Sequence, residues 1–352
     1  MTSNEVVQPP YPLYSTTFTI HRISPLYVGS GTVLDNESLA QYARHFRDLL
    51  AGDVLRGVRV GLAPDDDTLS RVGSLGTVTW RILGEEEEWE ARGDDTQVDL
   101  DDSTMNPTGR RGILVKVHYE KAEYTAILLR AVDEGDSDES ILETEGEGEF
   151  ELFPLLLTRM PNSLRDTFTG FLASTFDTRV SSLHLGGAYL VDAFEKYISD
   201  LLTTEDGRVL DRTDGDSLSK KVIRDVQLLV GFDLPSGMMS LKTMDIHIAG
   251  EDVPGMLSRG GKGNNHGSDT PFMNALTAYI GAHLAMNLKH DRVKLLRIAC
   301  AAFVLGSEGK VKLSRPVSED EDGQRRATRL LVAGLIKHAK GRGLLKQPAK
   351  VD

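Results

Sequence analysis

Residues 113–130 have the sequence Ile-Leu-Val-Lys-Val-His-Tyr-Glu-Lys-Ala-Glu-Tyr-Thr-Ala-Ile-Leu-Leu-Arg. Two runs in it, 113–119 and 124–130, alternate apolar with polar side chains on either side of Glu120-Lys121. Successive side chains of a strand point to opposite faces, so two alternating runs joined by a short polar segment are typical of a β-hairpin. This stretch therefore predicts that antiparallel strand pairs form the sheet.

The same patterns continue on both sides of this hairpin. Strands are predicted over 14–20, 54–62 and 76–83, and a second strand pair over 226–234 and 241–248. Apolar residues with a period of 3.6 predict helices over 36–50, 162–174, 189–202 and 272–288. Hairpins and helices without regular βαβ alternation predict an α+β fold.

Two local features need a closer interpretation. Asn36 is predicted to be a helix N-cap, and Asn162 or Ser163 is expected to cap the next long helix. Val293 to Ser314 is predicted to be a hairpin with its turn at Gly306-Ser-Glu-Gly309, although the alanines in 299–302 leave a helix open for its first arm.

The length of 352 residues favours two domains. Residues 1–12 are polar and rich in proline, which predicts a flexible arm. Residues 85–102 hold ten acidic residues and one basic one, and residues 133–151 hold ten acidic residues and no basic one. Runs of like charge are typical of solvated, disordered loops, so these runs predict acidic insertions. We therefore expect an N-terminal domain over 13–150 and a C-terminal domain over 151–352.

Composition restricts the class of protein. The single cysteine, Cys300, lies in an apolar run and is expected to be a small core residue, and one cysteine cannot form a disulfide within the chain. The first thirty residues show no secretory signal pattern, and no apolar run reaches the roughly 20 residues that span a bilayer. The expectation is a soluble intracellular protein with no membrane partner.

Signatures of enzymes are largely missing from the sequence. Gly260-Gly-Lys-Gly263 lacks the spacing of a phosphate-binding loop, and one cysteine excludes cysteine-based zinc sites. Asp252, Asp291 and Glu308 have no spacing that supports a specific catalytic geometry. The sequence therefore predicts no catalytic residue, no metal ligand and no cofactor, and a protein that is not an enzyme.

Charge is distributed unevenly along the chain. The formal net charge is -13, but residues 289–350 hold 15 Lys/Arg and 6 Asp/Glu, so an acidic body carries a basic end. If 325–340 is a helix, four basic side chains project within an arc of about 80°. They are Arg326, Arg329, Lys337 and Lys340. Three alternatives stay open: a solvated helix face, phosphate contacts to DNA or a nucleosome, and docking to an acidic partner or nuclear import.

Three blocks of sequence are similar to one known family. Tyr11 to Tyr27, Leu241 to Val253, and the run from Tyr279 through Lys312 resemble the fungal centromere protein L family of inner-kinetochore subunits. The resemblance implies a curved α+β fold on a large antiparallel sheet, with no enzymatic activity. It also implies a heterodimer with centromere protein N within the constitutive centromere-associated network. The implied location is the nucleus, at the centromere and kinetochore, where the pair helps hold the network on the centromeric nucleosome and its DNA for chromosome segregation.

An exposed edge strand is a template for a strand of a partner, and the 293–314 hairpin is the predicted edge, with an internal core hairpin as the alternative. The predicted interface residues are Val293, Leu295, Val304 and Leu313, and the predicted phosphate contacts are the four basic residues of 325–340. Two other functions stay open: a DNA clamp or recombination-associated protein on a similar sheet, and a metabolic enzyme of another type.

Overall fold

The computed structural model describes residues 10–29, 34–55, 72–92, 110–131, 149–204, 206–233, 242–260, 270–316 and 321–341. The chain divides into two compact units. Unit 1 comprises residues 1–12, 18–182 and 335–352, and unit 2 comprises residues 13–17 and 183–334. The division into an arm and two domains that meet at residue 150 stays a prediction about separately folding parts.

Unit 1 combines an antiparallel sheet with helices. Its elements are β1 (Thr17–Ile23), β2 (Leu26–Tyr27), α1 (Asn36–Leu55), β3 (Leu75–Leu83), α2 (Glu86–Arg92), β4 (Gly112–Tyr119), β5 (Ala122–Leu129), β6 (Phe150–Glu151), β7 (Leu155–Arg159), α3 (Asn162–Phe176) and β8 (Val180–Ser182). The strand order is β1-β7-β5-β4-β3 with β8 beside β1, and β2 pairs with β6 separately. The hairpin predicted from 113–130 is confirmed, since β4 and β5 pair in register from Gly112↔Leu129 to Tyr119↔Ala122.

Aromatic side chains form the centre of the unit 1 core. Phe168 and Phe171 of α3 contact both Phe46 of α1 and Trp80 of β3, at ring-centroid distances of 5.0 to 6.0 Å. All four side chains are buried, together with Val115 of β4. The apolar stripes of the two helices thus meet one face of the sheet, as amphipathic helices require.

Unit 2 has the same class of architecture. Its elements are α4 (Gly187–Leu201), α5 (Arg212–Val222), β9 (Val226–Phe232), β10 (Thr243–Ile248), α6 (Val253–Gly260), α7 (Pro271–Leu284), β11 (Val293–Ala299), β12 (Phe303–Gly306) and β13 (Lys310–Leu313). The strand order is β10-β9-β11-β12-β13. Phe194 of α4 contacts Phe272 of α7, and Tyr197 of α4 contacts Phe303 of β12. Helix α8 (Glu321–Lys340) follows.

The predicted α+β class, with a large antiparallel sheet and flanking helices, is confirmed. The four predicted long helices are also confirmed, and the stretch 325–340 lies within helix α8. Among the described residues, no helix is both long and apolar enough to cross a membrane.

The start of α1 differs from the prediction. Asp35, and not Asn36, caps the helix: its Oδ1 accepts the Ser38 N–H at 2.8 Å, and its own N–H donates to Ser38 Oγ at 3.0 Å. This reciprocal pair satisfies two backbone donors at once, which explains the choice of residue. At α3, the cap position is Pro161 with no side-chain hydrogen bond, so the prediction of Asn162 or Ser163 is wrong.

Other predicted boundaries also change. Helix α1 continues to Leu55, so the strand predicted from Val54 is wrong at its start, and residues 56–62 lie outside the described residues. Glu86–Arg92 form helix α2 where a loop was expected, and 93–102 and 132–148 lie outside the described residues. In the predicted arm, Tyr11 is buried and donates its hydroxyl to the Gly84 carbonyl, while residues 1–9 lie outside.

Candidate functional site

The first candidate interaction surface is the segment 293–314. The hairpin predicted there is three strands, since β11 ends at Ala299 and β12 begins at Phe303. The hairpin proper is β12-β13, which pair from Phe303↔Leu313 to Gly306↔Lys310 around the predicted turn. Strand β11 lies between β9 and β12, so the prediction that this segment is a free edge is wrong.

The four predicted interface residues have different environments. Val293, Leu295 and Val304 are half-buried, whereas Leu313 is 2 % exposed. Leu295 lies against Gly187 at the start of α4, and Val304 pairs across strands with the exposed Lys312. Their contact with a partner stays a prediction.

The unit 2 strand order ends with β13 on one side, where the Leu313 carbonyl accepts the Ser15 N–H at 2.7 Å, and with β10 on the other. Strand β10 pairs with β9 through every residue from Thr243 to Ile248, and no other described strand pairs with it. The Phe232 N–H donates to the Lys242 carbonyl at 2.9 Å. Since hydrogen-bonded and non-bonded pairs alternate in an antiparallel ladder, Thr243, Asp245 and His247 direct their backbone groups away from β9. The structure therefore places the open edge at β10, which sequence reasoning missed.

Three of the four Lys and Arg residues on the described strands of unit 2 have acidic neighbours. Lys294 pairs with Asp233 at 3.2 Å, Arg297 with Asp245 at 3.5 Å, and Lys310 with Glu308 at 3.5 Å. These exposed pairs contribute little to stability, but they reduce the positive charge that the strands present to a polyanion. The strands are thus a poor candidate for contact with nucleic acid.

The four basic residues of α8 lie on one helix, as predicted. Arg329, Lys337 and Lys340 are exposed, but Arg326 is half-buried and donates from Nη2 to the Asp200 carbonyl at 2.8 Å. Burial raises the pKa of Asp200, while Lys196 and Arg326 lower it. Arg326 therefore connects α8 to α4, whereas the side chains of Arg329, Lys337 and Lys340 are exposed.

His21 and Cys300 are two further titratable groups whose pKa values are shifted by burial. Within the part of the chain that the structure describes, no three His, Cys, Asp or Glu side chains gather as metal ligands would. His21 is buried and lies 3.1 Å from Thr158 Oγ1, and burial lowers its pKa to about 4. Burial raises the pKa of the Cys300 thiol to about 11.

Glu195 on α4 is the buried carboxyl that the sequence did not single out. Its Oε1 accepts the Met273 N–H at 2.9 Å, so the carboxyl meets the first turn of α7. Burial raises the pKa of Glu195 from 4.5 to about 7, although hydrogen bonds from the Met273 and Phe272 N–H groups lower it. Glu195 serves as a cap for α7, because four backbone donors at a helix start lack partners within the helix. An acidic residue in the middle of an apolar stripe was the signal available in the sequence.

This pKa predicts a pH-dependent effect of Glu195→Gln. The folded state binds more protons at Glu195 than the unfolded state between pH 4.5 and about 7, so this group's contribution to stability falls as pH rises through that window. Glutamine keeps an acceptor without the charge. We expect the free energy of unfolding of the variant to exceed that of the wild type by about 3 kcal/mol at pH 8 and to match it closely at pH 4.5. Urea unfolding at pH 4.5 and at pH 8 measures the free energy of unfolding of both proteins. A difference in stability between variant and wild type that is the same at both pH values would contradict this prediction. Asp206→Asn, an exposed charge removal, is the control.

The comparison with known proteins gives one finding. A sequence model of the family described as CENP-L, centromere protein L, matches residues 12–340. No curated protein matches the chain.

Proposed function

Because this chain belongs to the centromere protein L family, a family of kinetochore and centromere proteins, we propose that it is a non-enzymatic subunit of the inner kinetochore. It forms a heterodimer with a centromere protein N-type subunit, and the pair joins other inner-kinetochore subunits of the constitutive centromere-associated network in the nucleus. The assembled pair helps attach the kinetochore to the centromeric nucleosome and its DNA. The observation that carries this proposal is the family match over nearly the whole chain.

The open edge at β10 supports a heterodimer formed by strand addition. An edge strand presents unpaired N–H and C=O groups, and a partner strand that pairs with them gains main-chain hydrogen bonds. Exposed side chains at Thr243, Asp245 and His247 alternate with half-buried Met244 and Ile246, so both faces of an added strand would meet side chains here. Val293, Leu295, Val304 and Leu313 remain proposed interface residues, but their strands are internal and contribute through side chains alone.

The exposed cations of α8 support a contact with DNA in the assembled pair. The helix carries no Phe, Tyr or Trp beside these cations, so the contact would be mainly with the phosphate backbone. Arg326 is expected to contribute less to phosphate binding, because its guanidinium already donates a hydrogen bond to the Asp200 carbonyl.

The heterodimer is tested with His247→Pro. Proline removes one N–H from the outward side of β10 and leaves the ladder to β9, so the chain should fold while losing a hydrogen bond to an added strand. We expect wild type and centromere protein N-type subunit, when co-expressed, to elute as a one-to-one complex, and the variant to bind at least about tenfold more weakly.

His247→Ala is the matched control, since it removes the same side chain and keeps the N–H. Equal loss in both variants would assign the effect to the imidazole and contradict strand addition at β10. Absence of a complex with the wild type would overturn the heterodimer itself.

A further inference from the structure

Helix α7 carries an apolar stripe that the structure covers only in part. The sequence predicts that Phe272, Leu276, Tyr279, Ile280, His283 and Leu284 lie on one buried face. Phe272, Leu276 and Ile280 are indeed buried. Tyr279 is 50 % exposed and Leu284 is 58 % exposed, and the Tyr279 ring packs on the exposed His283 with centroids 4.3 Å apart. A helix whose apolar stripe continues past its own core marks a surface for another molecule.

A groove beside this stripe separates α7 from α6. The open cavity has a volume of about 400 Å³, and its lining includes Met256, Ala275, Ala278 and Tyr279. The end of α6 lies so close to the start of α7 that a Cβ at Gly260 would overlap the Pro271 carbonyl. The two walls of the groove therefore approach each other at this end.

The charged side chains that contact the groove lining are basic. Arg259 lines the groove, and Lys289 Nζ lies 3.1 Å from Oδ1 of Asn274, which also lines it. Residues 253–260 and 270–290 contain no Asp or Glu, and Asp252 and Asp291 adjoin these two segments. The groove therefore has an apolar centre, and Arg259 and Lys289 form its cationic rim.

From this pattern we infer that the α6–α7 groove binds an amphipathic helix of a partner subunit, with apolar side chains on one face and Asp or Glu beside them. The cationic rim selects the acidic flank through charge complementarity. A helix is favoured over an extended peptide because α6 and α7 offer no free strand edge to pair with backbone groups, whereas a helix satisfies its own. The groove is separate from the β10 edge, and this inference does not depend on the proposed heterodimer.

Two synthetic 18-residue helices test this inference. Both carry the same leucine stripe, and they differ only in having Glu or Lys beside it. With the full chain and fluorescence anisotropy, we expect the Glu helix to bind at least about tenfold more tightly than the Lys helix. The paired variant Arg259→Glu with Lys289→Glu should reverse this preference, and Tyr279→Asp should weaken both helices.

Val209→Asp is the matched control, because Val209 is 75 % exposed and does not line the groove. The inference is overturned if neither helix binds, if both bind equally, or if the paired variant keeps the original preference. A concentration-dependent dimer of the free chain that Tyr279→Asp abolishes would identify a second copy as the occupant and also overturn it. A last variant replaces residues 261–269 by Gly and Ser. If the helices bind only to this variant, the natural segment 261–269 is the occupant of the groove, and the inference is overturned.

Discussion

Replacing Phe168 by alanine is expected to lower the free energy of unfolding of unit 1 by about 4 kcal/mol. The ring is fully buried and contacts Phe46 and Trp80, with centroid distances of 5.4 and 6.0 Å. Alanine would leave a cavity between α1, α3 and β3, and a close-packed core fills such a cavity only in part. Denaturant unfolding measures the loss, and Trp80 reports locally by fluorescence.

Gly170→Ala is the matched control, two residues further along α3. Gly170 is exposed, and nothing lies within 4 Å of an added Cβ. Alanine there should raise stability by up to about 1 kcal/mol, since glycine is the weaker helix former. A loss below about 1 kcal/mol in Phe168→Ala would mean that this aromatic cluster is not the core.

Reversing the charge of Arg329, Lys337 and Lys340 to Glu is expected to weaken DNA or nucleosome binding by the assembled heterodimer by about 100-fold at low salt. Each lost phosphate contact also removes about 0.9 from the slope of log affinity against log salt, so the slope should fall by close to 3. Arg326 is left unchanged, because its reversal would also release α8 from Asp200.

The control for net charge is Arg47→Glu, Lys121→Glu and Lys220→Glu, three exposed residues away from α8 and from the proposed partner interface. This control shifts the total charge equally but leaves α8 intact. Unchanged affinity and salt slope in the α8 variant would refute a DNA role for the helix. Equal weakening in both variants would assign the effect to overall charge.

Local sequence patterns located most of the helices and strands. The β4-β5 hairpin followed from alternation around Glu120-Lys121, and α4 followed from the apolar spacing of Leu190, Phe194 and Tyr197. Errors occurred where two local signals compete: Asp35 and Asn36 are both good caps, and Ala299–Ala302 permits several conformations. In these places the choice depends on neighbours distant in sequence.

The functional surfaces were harder to predict. The sequence singled out Arg326 with three other cations, yet the structure uses Arg326 to hold α4. The roles of Glu195 and of the β10 edge were not predicted. The burial of a carboxyl group and the position of a strand within a sheet depend on residues distant in sequence. Strand β11 pairs with β9, some sixty residues earlier, and that pairing makes it internal.

The sequence alone determined the α+β class, the long helices, the antiparallel hairpins and the resemblance to the family. All four depend on side-chain periodicity and on residue order, which are local properties. The tertiary structure decided which strand is the outer edge, which cation is engaged, which carboxyl is buried, and where the stripe of α7 leaves the core. These depend on long-range packing, because burial and pairing are set by elements that meet only after the chain has folded.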